Sequence, residues 1–83
     1  LMPTILFVFG LRVAVYPNDH RPAHVHVIGN DKEAVFNLGC PGGPLELREN
    51  YGFSKQMIGK IAAALDENLA TLCKSWREIH GHF

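Results

Sequence analysis

Residues 18–27 read Asn18-Asp19-His20-Arg21-Pro22-Ala23-His24-Val25-His26-Val27 and contain three of the five histidines of this 83-residue chain. In an extended strand successive side chains point to opposite faces, so residues 24–27 place two histidines on one face and two valines on the other. This alternation predicts a strand with one buried face and one polar face. Pro22 and the turn-forming residues before it predict a loop that brings His20 to the start of the strand.

Further strands flank this one on both sides. Two apolar runs, 4–9 and 11–16, lie on either side of Gly10, a pattern that is typical of a tight hairpin. After the strand at 24–28, a turn at 29–32 leads into a strand at 33–38. A loop rich in glycine and proline then precedes a short strand at 45–48. We therefore predict an antiparallel sheet of four to five strands.

The chain after Gly52 has the pattern of one long helix. Ser54 is a good N-cap, and apolar residues then recur every three or four positions as far as residue 79. This pattern predicts a helix over 54–80 that packs across the sheet and supplies the core. The predicted fold class is therefore α+β, with residues 1–83 in a single domain.

Composition narrows the classes of function. Eight basic and eight acidic residues give a formal net charge of zero, which argues against sequence-independent nucleic-acid binding, because such binding neutralises many phosphates.

Cys40 and Cys73 form no C-x-x-C pair, and we interpret them as free thiols in a reducing compartment. The apolar run 5–9 is too short to span a membrane, and no basic region precedes it. We expect a cytoplasmic protein without a membrane segment or signal peptide.

If the helix covers the valine face, the opposite face of the sheet carries acid, base and anion-binding groups. Imidazole, phenol and carboxylate groups can transfer protons, and guanidinium groups bind phosphate. Such a set could cleave RNA without a metal ion. The predicted catalytic residues are His20, His24, His26, Tyr16 and Glu46, and the predicted binding residues are Arg12, Arg48, Asn18 and Asp19.

Two other interpretations of this face stay open. Imidazole is also a common zinc ligand, so a divalent metal, if one binds, is expected on His20, His24 and His26. No fourth ligand lies at a recognisable spacing from them, and no other cofactor is predicted. Alternatively, the charged residues only keep an open sheet face soluble and pair across strands for modest energy.

The first hairpin predicts a surface for a partner. With a two-residue turn at Gly10, Ile5, Phe7 and Phe9 lie on the polar face of the sheet. Large apolar groups left bare on a small protein commonly mark a partner surface. We therefore predict that this hairpin is the interface of a homodimer or of a complex with a second protein.

A family resemblance rests on segments spread over nearly the whole chain. These segments are Met2-Pro3-Thr4-Ile5, the hairpin glycine, the N-D-H-x-P-x-H-x-H-V run over 18–27, Leu45-Glu46-Leu47, and Gly52-Phe53-Ser54 before the final helix. The chain resembles a family of small bacterial proteins classified only as a domain of unknown function. Members are often encoded beside a second small protein, in an arrangement like a toxin–antitoxin pair.

The resemblance implies a toxin-like component, or the partner of one, with a small antitoxin-like protein as its partner. Together with the chemistry of the polar face, it gives the first hypothesis, a toxin-like protein that acts on RNA or another phosphate-bearing target. Within the motif His20, Pro22, His24 and His26 match directly. Ala23 stands where a second proline is usual, and residues 40–44 look like an extension of a shorter loop. The second hypothesis is a non-catalytic module that binds a metal or a partner protein.

Overall fold

The sheet is a five-stranded antiparallel meander, followed by two helices. The computed structural model describes residues 3–83, so residues 1 and 2 of the predicted domain lie outside the described part of the chain. The strands follow one another in space in the order β1-β2-β3-β4-β5. The elements are β1 Thr4–Val8, β2 Leu11–Ala14, β3 His24–Gly29, β4 Lys32–Asn37, β5 Glu46–Tyr51, α1 Lys55–Glu67 and α2 Leu69–His80. The predicted α+β class and antiparallel sheet are confirmed.

Two tight turns set the register of the meander. Phe9 and Gly10 both have positive φ, at 52° and 76°, as do Asn30 and Asp31, at 54° and 61°. Two-residue turns with both φ values positive match the right-handed twist of the strands they join. β3 and β4 consequently pair along their whole length, from His24 with Asn37 to Gly29 with Lys32.

The prediction of one continuous helix over 54–80 is wrong, because the helical region divides into two helices at Asn68. Asn68 has a non-helical backbone, with φ −111° and ψ 16°. Its side-chain amide donates to the carbonyl of Ala64 at 2.8 Å, and such local side-chain bonds compete with helix continuation. The predicted ends are confirmed: the Ser54 hydroxyl accepts from the Met57 amide at 3.1 Å, and Gly81 ends α2 in the left-handed conformation.

The helices pack on the valine face of the sheet and form one core with it. Val25 and Val27 are fully buried, as the alternation predicted. The helices contribute the buried residues Ile61, Leu65, Leu72, Cys73 and Trp76. The opposite face of the sheet carries His24 and His26. Among residues 3–83, no helix combines the length and apolarity needed to cross a membrane.

Two irregularities of the sheet differ from the predicted alternation. Thr4 pairs with Ala14 and Leu6 pairs with Val13, so Ile5 is an extra residue in β1. Ile5 consequently packs against the core instead of sharing the exposed side of Phe7 and Phe9. The last strand was predicted at 45–48 and instead spans Glu46–Tyr51, with a second bulge described below.

Cys40 and Cys73 form a disulfide, so their interpretation as free thiols is wrong. The loop after β4 lies against α2 and brings their Cα atoms to 5.7 Å, within the range that a disulfide spans. Two cysteines separated by 33 residues give no sequence signal of this approach. The prediction of a cytoplasmic location rested partly on free thiols, so it loses that support.

Candidate metal centre

The loop before β3 fixes the position of the Asp19 carboxylate. The Asp19 amide donates to the Tyr16 carbonyl at 3.0 Å, which closes a turn with Pro17 and Asn18 at its centre. Proline suits the first central position of such a turn because its φ is already set. In return, the Tyr16 amide donates to Asp19 Oδ2 at 3.1 Å. The carboxylate is thus held by backbone geometry instead of moving freely in solvent.

His24 is buried and oriented by the loop in front of its own strand. It is only 5% exposed, and its ring centroid lies 5.2 Å from that of Trp76. His24 Nδ1 lies 2.8 Å from the Pro22 carbonyl oxygen. A carbonyl can only accept, so Nδ1 carries the proton, and in the neutral ring the lone pair is on Nε2. That Nε2 atom lies 3.4 Å from Asp19 Oδ2.

His26 lies between two carboxylates. Its Nε2 is 3.1 Å from Asp19 Oδ2, and its Nδ1 is 2.9 Å from Glu33 Oε2. Its side chain is only 14% exposed, and the Tyr16 ring covers it at a centroid distance of 4.4 Å. We call Asp19, His24, His26 and Glu33 the histidine cluster.

Tyr16 contributes a neutral phenol to the edge of this cluster. Partial burial raises its pKa, and the negative charge of Glu33 raises it further, against a lowering by Arg12. At neutral pH the hydroxyl therefore keeps its proton and can donate a hydrogen bond. The ring also shields one side of His26 from water.

Three atoms of the cluster form a set that can hold a metal ion. His24, His26 and Asp19 each offer one ligand atom, and these atoms lie within 4.8 Å of one another. Ligand bonds of 2.0–2.2 Å in a tetrahedral zinc site imply ligand atoms about 3.3 Å apart. The two distances to Asp19 Oδ2, 3.1 and 3.4 Å, already match this spacing.

A cleft of about 250 Å³ opens beside the cluster, with a β-bulge on its wall. Val35 pairs with Glu49 whereas its neighbour Phe36 pairs with Leu47, so Arg48 is an extra residue in β5. A bulge lets consecutive side chains reach one side of a sheet, and both Arg48 and Glu49 line this cleft. Its lining comprises Asn18, Asp19, His20, Arg21, His24, His26, Val35, Arg48 and Glu49.

The structure brings together part of the residue set predicted from sequence. His24, His26, Asp19 and Tyr16 contact one another in the cluster. Asn18, His20 and Arg48 line the cleft, and His20 is exposed and outside the group of ligand atoms.

Besides Tyr16, which packs against His26, two of the predicted residues do not line the cleft. Arg12 donates from Nε to the Thr4 hydroxyl at 3.2 Å. Glu46 is exposed in the first pair of β5, opposite Asn37. Both residues therefore lie on the sheet without contributing to the lining.

Sequence reasoning did not assign Glu33, Glu49 or Arg21 to the site. Strand alternation does place Glu33 on the histidine face, and this was the available signal. Its contact with His26 depends on the register set by the turn at Asn30 and Asp31. Glu49 reaches the cleft only because of the bulge, and Arg21 carried no periodic signal.

Comparison with known proteins identifies a family but no activity. The model of a family described as "Domain of unknown function (DUF4160)" matches residues 10–77. No curated protein and no solved structure is similar enough to count as a match. The matched region includes β2 to β5, both cysteines and every residue of the histidine cluster. The chain therefore belongs to the DUF4160 family.

Proposed function

We propose that this protein binds a divalent metal ion of the zinc class through Nε2 of His24, Nε2 of His26 and a carboxylate oxygen of Asp19. The observation that carries the proposal is that each of these three groups has a second partner that orients it. His24 Nδ1 donates to the Pro22 carbonyl, His26 Nδ1 lies against Glu33, and Asp19 accepts from the Tyr16 amide. Metal ligands in proteins characteristically have such outer partners.

The charge of the cluster fits a divalent cation. Asp19 and Glu33 together carry two formal negative charges, one of them on the little-exposed Asp19, and a divalent ion balances them. Without a metal ion, an imidazole can donate to two ionised carboxylates only when both of its nitrogens carry a proton. A metal would replace the proton on Nε2 while the bond from Nδ1 to Glu33 remains. The competing explanation is therefore a purely hydrogen-bonded network of protonated histidine and carboxylate.

The number of ligands indicates an open site. Structural zinc sites have four protein ligands, whereas catalytic sites have three and keep one position for a water molecule or substrate. Here three ligands converge beside a cleft. The arrangement therefore supports a metal that is reached from solvent, with Tyr16 and Trp76 shielding the two imidazole rings.

Metal titration tests the proposal. We expect Co²⁺, added to the disulfide-bonded protein, to give visible absorption typical of low coordination number, and Zn²⁺ to displace it with one equivalent per chain. Asp19→Asn should weaken Co²⁺ binding by at least roughly 10–100-fold, the loss typical when only an outer partner of a ligand is removed. His82→Ala, which removes an exposed histidine near the end of the chain, is the matched control.

Two outcomes separate the possible ligand sets. His20→Ala should leave Co²⁺ affinity nearly unchanged, because His20 lies outside the group of ligand atoms. If His20→Ala abolishes binding whereas Asp19→Asn does not, the ligand set is the one predicted from sequence and not the one proposed here. Absence of a Co²⁺ band from the folded wild type would favour the hydrogen-bonded network.

A second candidate function is a toxin-like component of a two-protein pair, acting on RNA in the cytoplasm. The feature that favours it is the cleft, where His20, Arg21 and Arg48 line the same space as His26. Induced expression of the wild type and of a His24→Ala/His26→Ala variant in a bacterial host tests it, with growth and total RNA followed together. Arrest with RNA loss only in the wild type would support the role, and growth of both cultures would contradict it.

A further inference from the structure

We infer that the metal-loaded cleft binds a phosphate oxyanion, with one phosphate oxygen at the open metal position and others at the guanidinium of Arg48. This inference rests on the proposed metal site and names the ligand class of that site. Three features carry it: the bulge that brings Arg48 and Glu49 to one side of the sheet, the charge balance of the cleft, and the geometry of the donors.

The bulge in β5 places Arg48 and Glu49, which are adjacent in sequence, on the same side of the sheet. Without it, Arg48 and Glu49 would lie on opposite faces of the sheet. With Arg48 as the extra residue, both side chains line the cleft together with His26. Bulges are over-represented next to active sites, where they redirect a side chain. Arg48 is not fixed in a strong ion pair, because its Nε is 3.7 Å from Glu49 Oε2 and its side chain is 43% exposed.

Formal charges make anion binding conditional on the metal. Among the charged residues that line the cleft, Arg21 and Arg48 are balanced by Asp19 and Glu49. Glu33, bonded to the back of His26, adds a further negative charge. A cleft with this balance does not attract an anion, whereas a bound divalent cation makes the same cleft positive. Phosphate binding should therefore require metal loading.

The donor geometry favours phosphate over a carboxylate. A guanidinium group is a planar fork that binds two oxygens of a phosphate at once. A tetrahedral phosphate can do this and still give a third oxygen to a metal ion. A carboxylate has only two oxygens in one plane, so it cannot satisfy both partners fully. The exposed imidazole of His20, also on the cleft wall, is a further donor.

The first experiment titrates inorganic phosphate into Co²⁺-loaded protein and follows the cobalt absorption. We expect the band to shift saturably with phosphate, and acetate at equal concentration to shift it much less. The metal-free protein, followed by phosphorus NMR line width, should show no phosphate binding. A Co²⁺ band that phosphate does not change would overturn the inference while leaving the metal site intact. Equal binding by metal-free protein would overturn it as well.

Variants of arginine test the assigned partner. Arg48→Ala should weaken phosphate binding by roughly 10–100-fold, the loss expected for a hydrogen-bonded charge, with Co²⁺ affinity unchanged. Arg48→Lys should recover only part of the loss, because lysine keeps the charge without the planar fork. Arg77→Ala, on the exposed side of α2, is the control. If Arg48→Ala binds phosphate as tightly as this control, the inference is wrong.

A final experiment distinguishes whether the bound phosphate belongs to a nucleic acid or is free in solution. A short single-stranded RNA and inorganic phosphate compete for the Co²⁺-loaded wild type. Tighter binding of RNA would identify a phosphodiester ligand, and tighter binding of inorganic phosphate would identify a free or terminal phosphate. Either result supports the oxyanion site. If no Co²⁺ band forms before any phosphate is added, the proposed function fails and this inference fails with it.

Discussion

The histidine cluster and the tip of the first hairpin both depart from the usual rule that polar groups face water and large apolar groups are buried. In the cluster, ionisable groups are withdrawn from water: His24 is 5% exposed. At the hairpin tip, which we define as Phe7 and Phe9, two aromatic side chains are 64% and 58% exposed. Buried polar groups and exposed apolar patches are the informative exceptions in a folded protein. The two regions differ in whether other groups of the protein compensate for this unusual burial or exposure.

In the cluster the compensation comes from the chain itself. Each side chain bonds a backbone or side-chain group of residues 16–33. Within residues 3–83 the hairpin tip has no equivalent, since Phe7 and Phe9 are exposed there and β1 is an edge strand of the sheet. Edge strands present unpaired backbone groups that can pair with another chain. The cluster is thus complete within one chain, whereas the tip is suited to a partner, which remains a proposal.

The largest expected effect comes from removing the disulfide, which supports only one of the two regions. Cys73 is one helical turn before Trp76, whose ring packs against His24. Cross-linking residues 33 positions apart stabilises by about 3–4 kcal/mol in the chain-entropy model. We expect Cys40→Ser/Cys73→Ser to lower the free energy of unfolding by about this amount in urea denaturation.

The same variant sharpens the comparison through hydrogen exchange. Amide protection should fall in α2 and around His24 and change less in the β1–β2 hairpin, since no cross-link anchors that hairpin. The wild type treated with a reductant is the matched sample, and it should behave like the double variant. Equal loss of protection in both regions would show that the disulfide supports the whole fold uniformly.

The next effect in size concerns His26, whose removal deletes its bonds to Asp19 and Glu33. We expect His26→Ala to cost about 1–3 kcal/mol of unfolding free energy, because hydrogen bonds to charged groups are lost. Metal addition should stabilise the wild type by about 2.7 kcal/mol at a hundredfold excess over Kd, and it should not stabilise this variant. Thermal unfolding with and without Zn²⁺ measures both effects.

Phe7→Ala is the control that tests whether the hairpin tip affects the response to metal. It removes a large side chain from the exposed hairpin tip, so the stabilisation by Zn²⁺ should be the same as in the wild type. If Phe7→Ala loses the response to metal, the two regions are coupled and cannot be treated as independent. If His26→Ala keeps the response, His26 is not a ligand.

Local patterns were sufficient for the parts of the site that lie within one element. The alternation of residues 24–27 predicted that both histidines lie on the side of β3 opposite to Val25 and Val27, and the glycine at position 10 indicated the hairpin. These are consequences of the two-residue period of a strand and of backbone conformations that few residues tolerate. The α+β class follows from the same periodicities.

Contacts between elements were not predictable in this way. The approach of Asp19 to both histidines depends on a turn closed by its own carboxylate, and the position of Glu49 beside Arg48 depends on a bulge. The division at Asn68 depends on one side-chain bond that competes with the helix. Each is a choice between alternatives of similar energy that tertiary packing decides, so sequence periodicity carries no record of it.

The smallest effect on the isolated chain, and the sharpest test of the hairpin tip, is expected from Phe7→Asp. Because Phe7 is 64% exposed, the substitution should change the free energy of unfolding by no more than about 0.5 kcal/mol. A charge at the centre of an apolar interface, however, is strongly unfavourable, since it is desolvated without a partner. Light scattering after size exclusion should therefore show a smaller assembly than the wild type at equal concentration. Lys74→Asp, on the exposed side of α2, controls for added negative charge. A monomeric wild type, or an unchanged mass of the variant, would leave the exposed aromatic pair without a role in self-association, and the contrast with the histidine cluster would then be one of solvent exposure alone.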